Sequence, residues 1–259
     1  MGSNLLPAAI TDNLETRFIG QRVVYYPSVT STNEVARQEA QRGASEGTVI
    51  IADEQTVGRG RKKRAWLSPR GSIALSIVLY PSIVHLPSLI MVASLAVAHS
   101  IESATGLKPQ LKWPNDVLIR GRKVCGILIE SGVKGRKVDY AAVGIGININ
   151  LRMADFPEIS TIATSLSAEL GREIPLEHFI RCLLIEVERL YLDSQSGEAI
   201  FQQWRSRLVT LGRRVQVSYG ETKQEGIAES VAEDGSLLLR SPGGSLVKIV
   251  AGDVTLRDC

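Results

Sequence analysis

Apolar residues recur most regularly after Pro175, where Leu176, Phe179, Ile180, Leu183, Leu184, Val187, Leu190 and Tyr191 follow one another at i, i+3, i+4, i+7 spacing. That period puts them on one face and predicts a long amphipathic helix. A second helix is predicted over EAIFQQWRSRLVTL, ending at Gly212. Earlier, STNEVARQEAQRG places Ser31 three residues before Glu34, the spacing of a capping box, and ends at Gly43. Pro87 to Thr105 is apolar nearly all round and closes at Gly106, so it reads as a helix covered on most sides.

Between these lie compact β-branched runs. RVVYYPS, GTVIIADEQ and SIALSIVLYP read as strands, and LKW, KVCGILIES and YAAVGIGININ as three more, separated by polar turns at PND, RGR and VKGRK. Antiparallel pairing is the simplest arrangement of the last three, in a mixed or antiparallel sheet. After Gly212 the helical period is lost. RRVQVSYG, EGIAESVA, SLLLRS and LVKIVAGDVTLR alternate apolar and polar positions between EDG and PGG turns, the pattern of a small barrel. The expected architecture is therefore an α+β domain over residues 1–210, a mixed or antiparallel sheet with flanking helices, followed by a small β-barrel domain over 211–259.

Composition narrows the function classes. Lys and Arg number 30 against 27 Asp and Glu, a net charge of +3, so no broad basic field covers the surface and the cationic run at 58–71 is local. Cys125, Cys182 and Cys259 are odd in number and widely spaced, which points to a reducing, cytoplasmic setting. The N-terminus has no basic segment leading into a long apolar one, so no secretory signal is expected. The longest apolar stretch, from Leu86, falls short of the roughly 18 to 20 residues of a membrane span.

Several chemistries have no motif here. His85, His99 and His178 stand apart from one another with no ligand spacing, so no protein-held metal is expected. GxxxxGK[ST] and GxSxG do not occur, and GIGIN at Gly144 lacks the spacing of a dinucleotide fingerprint. What stands out is GRGRKKRAWLSPRG, from Gly58 to Gly71. Glycines there bring backbone N–H groups near a ligand, and Arg59, Arg61 and Arg64 offer forked donors for phosphate or carboxylate oxygens. A solvated basic loop is the alternative reading. A second cluster, KWPNDVLIRGRKVCGILIE from Lys112 to Glu130, turns at Pro114, projects Asn115 and Asp116, and sets Lys123 near Gly126, where no side chain blocks approach.

These two segments, with STN at Ser31 to Asn33 and GIGIN at Gly144 to Asn148, occur in the order seen in biotin protein ligases, and the C-terminal β segment resembles that family's SH3-like domain. The resemblance implies a catalytic domain related to class II aminoacyl-tRNA synthetases. It also implies a two-step reaction, in which biotin and MgATP give biotinyl-5′-adenylate and a lysine of a biotin carboxyl carrier domain then takes the biotin. Activating a carboxylate with ATP brings two anions together and calls for fixed positive donors, which the basic loop offers.

Carried over by position, Ser31, Thr32, Asn33 and Gln55 match residues that hold the biotin ureido ring, and the Ser31 hydroxyl would also cap its helix. Arg59, Gly60 and Arg61 match the loop that closes over biotin and adenylate, with Arg64 beside the nucleotide and Trp66 as packing anchor. Lys123 matches the lysine that contacts the biotin carboxylate and α-phosphate. Asn115 and Asn148 match positions near the nucleotide and its metal-bound phosphates, so Mg²⁺ would be held through ATP. Asp116 would receive the proton of the acceptor lysine.

Two departures are visible. Lys63 stands where many members have glycine, so a left-handed backbone angle there would be strained, and Cys125 replaces a small residue such as alanine. About thirty residues precede Ser31, with no helix pair of DNA-binding type, so no DNA partner is expected. The family includes both monomers and homodimers. Lipoate ligation on a related fold is the nearest competing function, and a nucleic-acid-binding module the more distant one.

Overall fold

The structure is a computed structural model that describes residues 7–195, 198–219 and 222–256. Its elements in chain order are α1 (Pro7–Thr11), β1 (Val23–Tyr26), α2 (Thr32–Gln41), β2 (Val49–Ala52), β3 (Ser72–Leu79), α3 (Leu89–Thr105), β4 (Gln110–Lys112), β5 (Asp116–Ile119), β6 (Arg122–Lys134), β7 (Lys137–Asn148), α4 (Leu166–Leu170), α5 (Leu176–Ser194) and α6 (Glu198–Ser206). The C-terminal strands are β8 (Arg214–Tyr219), β9 (Thr222–Val231), β10 (Leu237–Arg240), β11 (Leu246–Ile249) and β12 (Asp253–Leu256).

Seven strands form one sheet in the order β1-β2-β3-β7-β6-β5-β4. The sheet is mixed because β1 and β2 run parallel while the other neighbours are antiparallel. All eight residues of β3 are buried, as expected for a central strand covered on both faces. α3 and α5 pack on one face, and α5 buries the same apolar stripe that its period marked out. α3 ends at Gly106, whose φ of 72° supplies the left-handed turn. Among the described residues no helix is long and apolar enough to cross a membrane.

Four local expectations need correction. Val117 to Ile119 form a strand of their own, so there are four strands between Gln110 and Asn148 rather than three, and Asp116 opens β5 instead of sitting in a turn. α6 stops at Ser206 because residues 207–209 cover the edge of β4: Leu111 donates to Arg207 O and Val209 donates back to Leu111 O. An uncovered edge strand would leave these groups unpaired. LVKIVAGDVTLR is two strands, broken at Val250–Gly252. Ser31 occupies the N-cap position of α2, but its side chain makes no capping bond.

The C-terminal strands form an antiparallel sheet in the order β11-β10-β9-β8-β12, with no ladder joining β11 to β12. Its inner residues Val215, Val217, Ala228, Leu237 and Leu239 belong to the same apolar cluster as the large sheet and its helices. Trp113 ties the two together, its indole N–H donating to Gly235 O at 2.8 Å.

Candidate active site

The strand ends, the start of α2 and the glycine-arginine loop enclose a cleft of about 180 Å³. Its walls include Ser31, Thr32, Asn33, Gln55, Arg59, Gly60, Arg61, Arg64, Trp66, Asn115, Asp116 and Lys123, residues drawn from four separate stretches of sequence. The glycine-arginine loop forms part of its rim.

One wall is a ladder of polar side chains. Gln55 Oε1 accepts from the Thr32 backbone N–H at 2.8 Å and from its hydroxyl at 3.2 Å, while the Ser76 hydroxyl is 2.7 Å from both Thr32 Oγ1 and Asn33 Oδ1. Asn33 Nδ2 donates to Leu128 O at 3.1 Å and to Glu130 Oε2 at 2.8 Å. The lack of a capping bond leaves the Ser31 hydroxyl available on the same wall. Ser76 was not evident from sequence, because nothing in SIALSIVL distinguishes a serine that faces a polar partner.

The floor is flat because β7 carries Gly144 and Gly146. A Cβ on Gly144 would come within 2.3 Å of Asn33 Oδ1, and one on Gly146 within 2.5 Å of Trp66 Nε1. The indole therefore lies directly on the strand, and its buried N–H has no hydrogen-bond partner among the described residues. Gly146→Ala should push Trp66 off the floor at a cost of about 1–3 kcal/mol of overpacking. A lower melting temperature and altered tryptophan fluorescence, with weaker ligand binding, are the expected readouts; unchanged values on all three would show that the indole does not rest there.

The cations face this floor. Lys123 Nζ lies 5.2 Å from the Trp66 ring centroid and 2.6 Å from Asp116 Oδ1. Arg61 donates to Gly252 O at 3.1 Å, and Arg64 pairs with Asp253 at 2.8 Å. Burial draws the Arg61 guanidinium below its ordinary pKa, with Asp253 and Asp116 acting in the opposite direction and Arg64 in the same one. Lys112, Trp113, Asp253 and Val254 also line the cleft. Asp253 and Val254 were illegible in sequence, because they reach the site only through folding of β12 against the loop. Cys125 is fully buried, and burial pushes its thiol far above the ordinary range.

The loop is a tight reversal. Trp66 N–H donates to Gly58 O, Gly60 N–H donates to Arg64 O, and Arg61–Lys63 make one 3-10 turn. The left-handed angle falls on Lys62, with φ 53°, and not on Lys63. Lys62 Nζ is compensated there by Ser218 O at 2.5 Å and by the Tyr219 ring.

Asn148 is the exception among the expected site residues. It is buried at the end of β7, donates to Thr164 O at 3.0 Å, and does not line the cleft. Among the described residues no group of three or more His, Cys, Asp or Glu could hold a metal ion.

A cleft with several cations beside a polar ladder suits the binding of anionic groups. Residues 25–148 match the model of the biotin/lipoate A/B protein ligase family, and residues 210–257 that of the biotin protein ligase C-terminal domain. The biotin–[acetyl-CoA-carboxylase] ligase of Paracoccus denitrificans is 35% identical over 84% of this chain and 93% of its own. The chain belongs to the biotin protein ligase family. The Bacillus subtilis bifunctional ligase/repressor BirA is 36% identical over 97% of this chain and 79% of its own. Among solved structures, the Aquifex aeolicus biotin protein ligase in complex with biotin and ATP superposes with a TM-score of 0.79, at 30% identity, over 92% of this chain and all of that one. This protein is thus a ligase, and its C-terminal antiparallel sheet is the family's SH3-like domain.

Proposed function

We propose that this ligase condenses biotin with MgATP to biotinyl-5′-adenylate and then transfers biotin to one lysine of a biotin carboxyl carrier protein. The observation that carries the reading is the convergence of Lys123, Arg61, Arg64 and Lys112 on a cleft whose opposite wall is the neutral ladder of Ser31, Thr32, Asn33 and Gln55. A ureido ring offers a carbonyl acceptor and two N–H donors, which such a ladder can satisfy. The cations then meet the carboxylate and the phosphates.

In the first step a biotin carboxylate oxygen bonds to the α-phosphorus and pyrophosphate leaves. Lys123 turns from Asp116 towards these oxygens and stabilises the charge that builds on them. In the second step the neutral amine of the acceptor lysine attacks the biotinyl carbonyl, and AMP leaves. Asp116, released from Lys123, receives the proton. Mg²⁺ enters as part of MgATP, with Asn115 beside the phosphates. Among the described residues no group of three or more His, Cys, Asp or Glu could hold the ion, so the phosphate oxygens would be its main ligands.

The domain assignment follows the same reading, with residues 1–210 catalytic and 211–259 roofing the cleft through Asp253 and Gly252. The cations converge on one cleft rather than along an extended face, which favours small anions over a nucleic acid. The matching family model covers lipoate as well as biotin ligases, so substrate identity needs a direct test. With carrier protein present, multiple-turnover pyrophosphate release should occur with biotin and not with lipoate or with neither; turnover with lipoate alone would assign the sister activity.

A further inference from the structure

We infer that Glu169, which lies outside the cleft, is a positioning residue for Lys123 and acts through Arg122 and residues 162–164. The inference rests on the role proposed above for Lys123. Glu169 sits on α4 with only 1% of its side chain exposed. Its carboxylate takes Arg122 Nη2 at 2.5 Å, the Thr164 hydroxyl at 2.7 Å and Arg120 Nη1 at 3.2 Å.

These contacts bracket Lys123. The Lys123 N–H donates to Ile162 O at 2.9 Å, and Thr164 N–H donates to Lys123 O at 2.9 Å, so both backbone groups are held by this segment. The β5–β6 ladder slips at the same place: Val117 faces Cys125 but Leu118 faces Lys123, which leaves Val124 as an extra residue. Such a bulge re-aims the neighbouring side chain. Asn148 holds the far side of the segment through Thr164 O. That contact gives Asn148 a place in the same support.

Successive strand residues point to opposite faces. With Arg122 drawn to Glu169 on one face, Lys123 is turned to the other, where it reaches Asp116 and Trp66. An apolar residue would fill a buried site at least as favourably as a carboxylate, so stability alone does not call for Glu169. Its removal would not strand buried charge, because the Arg120 and Arg122 side chains are 71% and 42% exposed and can turn to water.

The test is a double-mutant cycle on single-turnover adenylate synthesis. Glu169→Ala should lower the rate by about 30-fold, within the range that misplacement of a reacting group produces, with biotin affinity changed by no more than about 3-fold. In a Lys123→Gln background the same change should lower the rate by less than about 2-fold, because residues acting through one group are not additive. A parental rate in Glu169→Ala, or an equal loss in both backgrounds, would overturn the inference. A parental rate in Lys123→Gln alone would remove the Lys123 role first and this inference with it. Should Glu169→Ala fail to fold, Arg122→Gln tests the same link from the half-exposed partner, with the same outcomes.

Discussion

Lys123→Gln is expected to slow adenylate formation by about 100-fold or more, the loss typical of one preorganised electrostatic donor. The substitution keeps roughly similar bulk and removes the charge, so the difference chiefly reports the charge. Lys123 sits 2.6 Å from Asp116 and over the Trp66 ring. Lys123 lies at the cleft and is not part of the apolar core, which makes a large loss of fold stability unexpected. Both side chains keep some access to water, so the expected change in unfolding free energy is small, on the order of 1 kcal/mol. Single-turnover synthesis measured beside thermal unfolding separates the two effects. Parental synthesis in a folded variant would remove Lys123 from the chemistry.

Arg61→Gly should have the second large effect, on where the activated biotin goes. The guanidinium donates to Gly252 O at the start of β12 and faces the cleft, so it both tethers the roof and supplies charge. Glycine removes the forked donor and loosens the 3-10 turn. The adenylate should still form, more slowly, and leave the site faster, since a closed loop is what keeps a reactive mixed anhydride from water and stray amines. Incubation with biotin, MgATP and an unrelated lysine-rich protein should then give bystander biotinylation well above that of the parent enzyme. Bystander labelling equal to the parent's, with adenylate synthesis still measurable, would show that Arg61 does not retain the intermediate.

The parts of the fold that could be read in the sequence were those set by one local period. α5 was plain because its eight apolar positions share one face, and β3 because its run is β-branched and bounded by turns. Val117–Ile119 were hidden by their length, since a short strand between PND and RGR carries too few positions to show a period. The apolar period of α6 runs on to Leu208, past the end of the helix, while the backbone at 207–209 is captured by β4, a partner distant in sequence.

The candidate site divides the same way. The glycine-arginine loop and the KWPND turn announced themselves through unusual composition, and folding brings them to one cleft. Asn148 matches a position near the nucleotide and could also merely end a strand; it ends β7, donates to Thr164 O and does not line the cleft. Ser31 has the spacing of a cap and leaves that position unbonded, which a spacing rule cannot anticipate. Asp253, Gly252 and Ser218 meet the loop only because the C-terminal sheet packs beside it. Lys62 takes the left-handed angle, and its side chain reaches that sheet, which no local property of RKK signals.

The two-step reading is tested most directly by a single turnover without carrier protein. Enzyme in excess over biotin, supplied with MgATP, should release one pyrophosphate per biotin and retain biotinyl-5′-adenylate, recoverable by denaturation and identified by mass. Addition of carrier should then discharge it as AMP and biotinylated lysine. Pyrophosphate release only when carrier is present, with no adenylate recovered, would contradict the account.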